Sequence, residues 1–230
     1  MRTLHRGMFA VDIASFGLCR DPAVQRHLRS STHRIVREAC GAVGLSWDAC
    51  HCEDRGDGLF VIAGADTGID DLVGPLAVEL LAGVRRHNRL ANAEARLRLR
   101  VAVNAGFIQF DDHGVTGVPL NHLFRLLDAA ALKDCLTETS GDFALIVSHR
   151  LFEEVVAFSV GVIEPSAFVC VPVKVKETHD RGWVWTPPTP GPPPSGPDAV
   201  GAELVASNER LVGLLAVLVR QLDQLVQRGG

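Results

Sequence analysis

Seven prolines and two glycines fall within TPPTPGPPPSGP, Thr186 to Pro197, and this stretch limits the possible folds more than any other part of the chain. Proline has no amide donor and a fixed φ, so the segment builds neither a helix interior nor a central strand. It reads as an extended, semi-stiff linker. It divides the 230 residues into a body of residues 1–185, a linker of residues 186–198 and a tail of residues 199–230.

The body alternates between strand-like and helix-like patterns. Strands are expected near Gly7 to Ile13, Cys50 to Glu53 and Gly58 to Gly64, and helices near Pro22 to Val43, Ile69 to Asn92 and Asn121 to Lys133. ARLRLRVAV, Ala95 to Val103, alternates arginine with leucine or valine, which predicts a half-buried strand with Arg96, Arg98 and Arg100 on a solvated face. Short strands and one helix complete the body, from Phe143 to Trp185. Helices on one side of the connections and a hairpin on the other predict an α+β sandwich. In the tail, Leu204, Asn208, Leu211, Leu215, Leu218, Leu222 and Leu225 follow a heptad seam. A parallel coiled coil would bury that seam, but the flanking valines 205, 212, 219 and 226 suit packing on a body or in a larger bundle equally well.

Composition removes several function classes. The formal net charge of −4 gives no basic footprint, so nucleic acid is not an expected partner. The longest apolar run of the tail, Leu211 to Val219, is too short to span a bilayer, and the N-terminal residues show no continuous apolar signal segment, so the expectation is a cytoplasmic protein. Six cysteines, at 19, 40, 50, 52, 135 and 170, are too scattered for a disulfide scaffold. Cys50-His51-Cys52 with Cys40 lacks a second ligand pair at zinc spacing, and inert thiols are the expectation there.

The chemistry concentrates in EDRGDGLFV, Glu53 to Val61, where Gly56 and Gly58 tighten a turn around Asp57. One carboxylate does not hold Mg²⁺, which takes oxygen ligands in octahedral geometry, so a second acid is needed at a neighbouring strand end. MFAVDIASFG, Met8 to Gly17, supplies Asp12, followed by a loop whose backbone N–H groups at Phe16 and Gly17 can face a triphosphate.

FAVDIASFG, EDRGDG and GVTGVPLNHLFRLLD, in that order, resemble the motifs of class III nucleotidyl cyclases. The resemblance covers Met8 to Trp185 and is closest to stand-alone cyclase-like domains of actinobacterial type. It implies a ferredoxin-like or palm-like sandwich, and two Mg²⁺ or Mn²⁺ ions held by Asp12, Asp57 and the Ile13 carbonyl. It also implies that Asn121 and Arg125 steady the ribose and the α-phosphate from one helix face, and that a homodimer shares the site between subunits. Glu53 stands where adenylyl cyclases carry lysine and guanylyl cyclases glutamate. An acceptor there favours guanine, whose edge donates, over adenine, so GTP is the expected substrate, with UTP or CTP open.

Three features depart from the family pattern. Gly114 occupies the second base-selecting position without a side chain. Leu123 and Phe124 replace small residues, and the phosphate-binding lysine has two imperfect candidates, Lys174 and Lys176. A catalytically silent nucleotide-binding or adaptor relative, meeting a protein partner through its tail helix, is therefore the second reading.

Overall fold

The computed structural model describes residues 2–138, 141–158 and 162–188, so the tail helix expected from the heptad seam lies outside the described residues. Within them the chain runs β1 (Arg2–Ile13), α1 (Pro22–Ala42), β2 (His51–Asp54), β3 (Gly58–Ile62), α2 (Gly74–Asn88) and β4 (Leu99–Asp111). It continues through β5 (Gly114–Thr116), α3 (Val118–Leu127), α4 (Ala130–Glu138), β6 (Phe143–Ser148), α5 (His149–Glu154), β7 (Val169–Val175) and β8 (Thr178–Trp185). The strands form one sheet in the order β2-β3-β1-β4-β6-β8-β7, with β5 paired to β4. β1 is antiparallel to both β3 and β4, which gives the β1-α1-β2-β3-α2-β4 portion the ferredoxin-like arrangement.

Both faces of the sheet are buried, and the two-residue side-chain period sorts β1 between them. Phe9, Val11 and Ile13 join a core with α1 and α2, built on Leu28, Ile35, Val36, Leu76, Leu80 and Val84. Met8 and Ala10 join a second core with α3 and α4, built on Leu120, Leu123, Leu126, Leu132 and Leu136. Asp12 continues the second series and therefore points toward α3 and α4. Leu123, bulky where the family pattern is small, is fully buried there.

Local chemistry sets the helix boundaries. Asp21 caps α1 by accepting from the Ala23 amide at 2.7 Å, and Pro22 occupies its first turn. α2 is shorter than its apolar pattern suggests. A 3₁₀ turn, Asp70–Leu72, precedes it, and at its last residue the Asn88 side chain bonds both backbone groups of Leu97 at 2.8 Å. The single helix expected at 121–133 is two helices, α3 and α4, separated at Asp128 and Ala129.

The arginine face of β4 is a correction. β4 begins only at Leu99, and the side of the strand that carries Arg100 and Ala102 lies under α3 and α4, so it is covered rather than solvated. Arg98 donates to the Gly141 and Leu136 carbonyls, and Arg100 is nearly buried; only Arg96, paired with Asp142, stays exposed.

Gly58 brings the hairpin against β1: a Cβ there would stand 1.9 Å from the Val11 carbonyl oxygen and 2.8 Å from the Asp12 Cα. Gly58→Ala must therefore push β3 off β1. Urea unfolding should show a loss of about 3 kcal/mol or more, and a change under about 0.5 kcal/mol, the range of an inert surface change, would contradict this packing.

Candidate active site

The ends of β1 and β3 and the turn that follows β1 bring several expected residues together. The Ile13 amide donates to the Asp57 carbonyl at 2.9 Å, which fixes the hairpin tip beside the end of β1. Ser15, in the left-handed region at φ 61, reverses the chain into the 3₁₀ turn Phe16–Leu18. Phe16 and Asp57 then line an open cleft of ≈ 540 Å³ with Pro22, Gln25, Arg26 and Arg29, and Gly17 lies in the same turn. The hairpin is also tied to α1. Asp54 accepts from Arg29 at 2.8 Å, bonds His33 at 2.7 Å and accepts from the Gly56 amide at 2.8 Å. Desolvation pulls Asp54 up, but the hydrogen bonds from Arg29, Gly56 and His33 and the charge of Arg29 together outweigh it and hold its carboxyl down at about 2.

Asp12 is 8 % exposed and faces Arg100 directly across the β1–β4 register. Arg100 donates from Nε to Oδ1 and from Nη2 to Oδ2, both at 2.7 Å. Burial pushes the Asp12 carboxyl up to about 6, against the hydrogen bonds and charge of Arg100, and the nearby Asp57 carboxylate adds to the rise. Each Asp12 oxygen accepts one guanidinium N–H and keeps a second lone pair. With Asp57 exposed alongside, the donor set is all oxygen and fits a hard divalent cation.

Glu53 lies on β2, on the sheet face that carries Phe60, and its Oε1 bonds His51 Nε2 at 2.8 Å. Phe124 reaches this region from α3, edge-to-face with Phe60 at 5.3 Å and under the Arg55 guanidinium at 4.8 Å. Cys40, in the opposite core, is a deeply buried thiol pushed up to about 12 by burial, with Cys50 and Cys52 adding to the rise.

Asn121 sits in the first turn of α3. It lines a second cleft of ≈ 550 Å³ with Phe107, Pro119 and Arg150, among others. Arg125, one turn on and with its side chain 19 % exposed, reaches Glu177 in the β7–β8 turn at 3.0 Å. Its Nε is buried without a hydrogen-bond partner among the described residues, a donor left over in a low-dielectric setting. Asn121 and Arg125 stand four residues apart on α3 and so share one side of the helix.

The two lysines part company. Lys176 stands in the β7–β8 turn at φ 51, next to Glu177. Lys174 alternates with buried Val173, so it projects from the face of β7 opposite the α3 side. Sequence reasoning put Arg100 on a solvated strand face and His51 in a Cys-His-Cys run without chemistry, and gave neither a place at the site. For Arg100 the only available signal was the antiparallel register that puts it opposite Asp12.

No protein-family model matches the chain, and no curated protein matches it. Solved structures do match. An adenylate/guanylate cyclase/hydrolase from Silicibacter pomeroyi aligns with TM-score 0.59 and 16% identity over 82% of this chain and 100% of its own. The guanylyl cyclase Cya2 aligns with TM-score 0.55 and 16% identity over 80% of this chain and 91% of its own. The guanylate cyclase domain of RhGC from Catenaria anguillulae, solved with GTP, aligns with TM-score 0.53 and 13% identity over 81% of this chain and 98% of its own. The body thus has the fold of class III cyclase catalytic domains. Among the described residues no helix is long and apolar enough to cross a membrane.

The Asp12 carboxyl supplies a pH signature. Its folded value of about 6 lies above the ordinary 3.8 of an aspartate, so its stabilising contribution is full below 3.8 and is lost as pH rises through about 6. The unfolding free energy of the parent relative to Asp12→Asn should therefore fall by about 1.4 kcal/mol between pH 5 and pH 8. A difference that stays flat or rises with pH would contradict the raised value.

Proposed function

We propose that this chain is a nucleotidyl cyclase that converts GTP to a 3′,5′-cyclic nucleotide and pyrophosphate at a site shared by two copies in a homodimer. The observation that carries this reading is the juxtaposition of Asp12 and Asp57 at one end of β1 and β3, on a cyclase fold. In the proposed dimer the acids from one subunit face Asn121 and Arg125 on α3 of the other across a two-fold axis.

Cyclisation requires the ribose 3′-oxygen to attack the α-phosphorus in line while pyrophosphate leaves, so negative charge grows on phosphate oxygens. Arg125 can meet that charge with two parallel N–H donors. The Glu177 carboxylate that its Nη2 now contacts is 76 % exposed, a counter-charge that a phosphate can displace. Asn121, one turn earlier on α3, is placed to orient the ribose. The backbone amides at Phe16 and Gly17 face the polyphosphate, and Lys176 is the lysine on the Glu177 turn that can join Arg125. Asp12, Asp57 and the Ile13 carbonyl would hold the two Mg²⁺ or Mn²⁺ ions, which offset charge at the attacking and leaving oxygens. Glu53 accepts from guanine N1–H and N2–H₂; uracil N3–H also donates, which makes UTP the next substrate to test.

One observation favours the second reading, a silent nucleotide-binding relative. Asp12 and Arg125 are each already neutralised within the chain, by Arg100 and Glu177.

The purified full chain, given Mg²⁺ or Mn²⁺ and each of the four NTPs, should yield mainly the cyclic product of GTP by mass spectrometry. Arg125→Ala should lower turnover by a factor on the order of 10³, and Asp12→Asn and Asp57→Asn should each abolish the metal dependence. A parent chain that makes no cyclic product from any NTP overturns the enzymatic reading.

A further inference from the structure

Gly114, the position that lacks a base-selecting side chain, is next to Glu53: a Cβ built on it would stand 3.8 Å from Glu53 Oε1. That oxygen is already held from another direction. His51 lies two residues before Glu53 on β2, on the same face, and its Nε2 is 2.8 Å from Oε1. An ionised carboxylate only accepts, so the imidazole donates from Nε2. The ring itself is fixed by aromatic contacts, edge-on to Phe110 at 5.5 Å and tilted against Phe60 at 6.2 Å. The His51 and Glu53 side chains are about one-third exposed, at 34% and 37%, so the pair is reachable by a ligand without being loose in solvent.

We propose that His51 is a specificity-determining residue, forming with Glu53 a dyad that reads guanine and replaces the side chain missing at Gly114. The inference rests on the nucleotide-binding reading given above and adds the second polar group of its base recess. A free glutamate has three rotatable bonds and can present either oxygen to almost any donor. Pinned by His51 through Oε1, it presents Oε2 and the remaining lone pair of Oε1 in a fixed plane. Guanine brings two adjacent donors to such a plane. Adenine brings the N1 lone pair, which the carboxylate repels, and only one neighbouring donor. Cytosine likewise offers a single donor group, N4–H₂, beside the acceptors N3 and O2. Without the pin the carboxylate still accepts, but it can swing away from a mismatched edge, so His51 acts on discrimination more than on overall affinity. The small residue at 114 leaves space for the base beside the dyad.

The test is competition of GTP and ATP against a fluorescent GTP analogue on the full chain with Mg²⁺, for the parent, His51→Ala, His51→Gln and Glu53→Ala, with turnover followed in parallel. His51→Ala should lower the GTP-over-ATP affinity ratio by about fivefold, the worth of an ordinary hydrogen bond. His51→Gln, whose Nε2 can still donate to Glu53, should keep most of the ratio. The ratio is taken within one preparation and does not move with the folded fraction, so a merely structural role for His51 leaves it unchanged. An unchanged ratio in His51→Ala, with the ratio lost in Glu53→Ala, overturns the proposal by showing that Glu53 reads alone. A parent that binds GTP selectively through the dyad without turning it over sinks the cyclase reading and supports the dyad. A parent that binds neither nucleotide overturns both.

Discussion

The Asp12–Arg100 pair is the interaction on which the structure most depends. It lies at the centre of the sheet, bidentate at 2.7 Å on both oxygens, and joins strands whose paired residues are 88 positions apart in the chain. Removing one partner of such a buried pair strands the other charge, typically at a cost of about 3–5 kcal/mol. The pair also fixes the β1–β4 register, since a one-residue slip would turn Asp12 into the apolar core packed by α1 and α2. Burial raises the carboxyl while the guanidinium lowers it, and the result is a group at the boundary between a structural ion pair and a ligand for cations.

The same balance recurs at the other half-site. Arg125 is anchored by an exposed carboxylate and keeps one donor unsatisfied, so its present partner is a weak competitor for a phosphate. Both groups the proposed chemistry needs are thus held in place by counter-charges of the same chain. On the proposed reading, a site assembled from two copies brings the acids of one subunit to the α3 residues of the other.

Much of the fold was legible where local chemistry dominates. The start of α1 follows from Asp21 and Pro22, and the hairpin follows from Gly56 and Gly58, so both elements lie within a residue or two of expectation. Legibility failed where partners are distant. Arg98 and Arg100 look solvated in an alternating pattern, and only the helices that pack on that side of the sheet and the partners the two arginines find there show that they are covered. The break between α3 and α4 carries no proline or glycine to announce it. Asp12 and Asp57 could be singled out from their motifs, whereas Arg100 and His51 act through contacts across the sheet or along a face that no motif marks. Lys174 and Lys176 were indistinguishable in sequence, and the pleat sends Lys174 to the opposite face.

The most direct test of the shared site is to mix chains carrying Asp57→Asn with chains carrying Arg125→Ala. Each homodimer has both sites broken, one in the acids and the other in the guanidinium, and should be inactive. In a freely exchanging equal mixture, heterodimers segregate the two lesions into one site and leave the other whole, so turnover should return to about a quarter of the parent's. A mixture that stays inactive, with an active parent and with heterodimers seen by native mass spectrometry, would contradict a site built from two subunits.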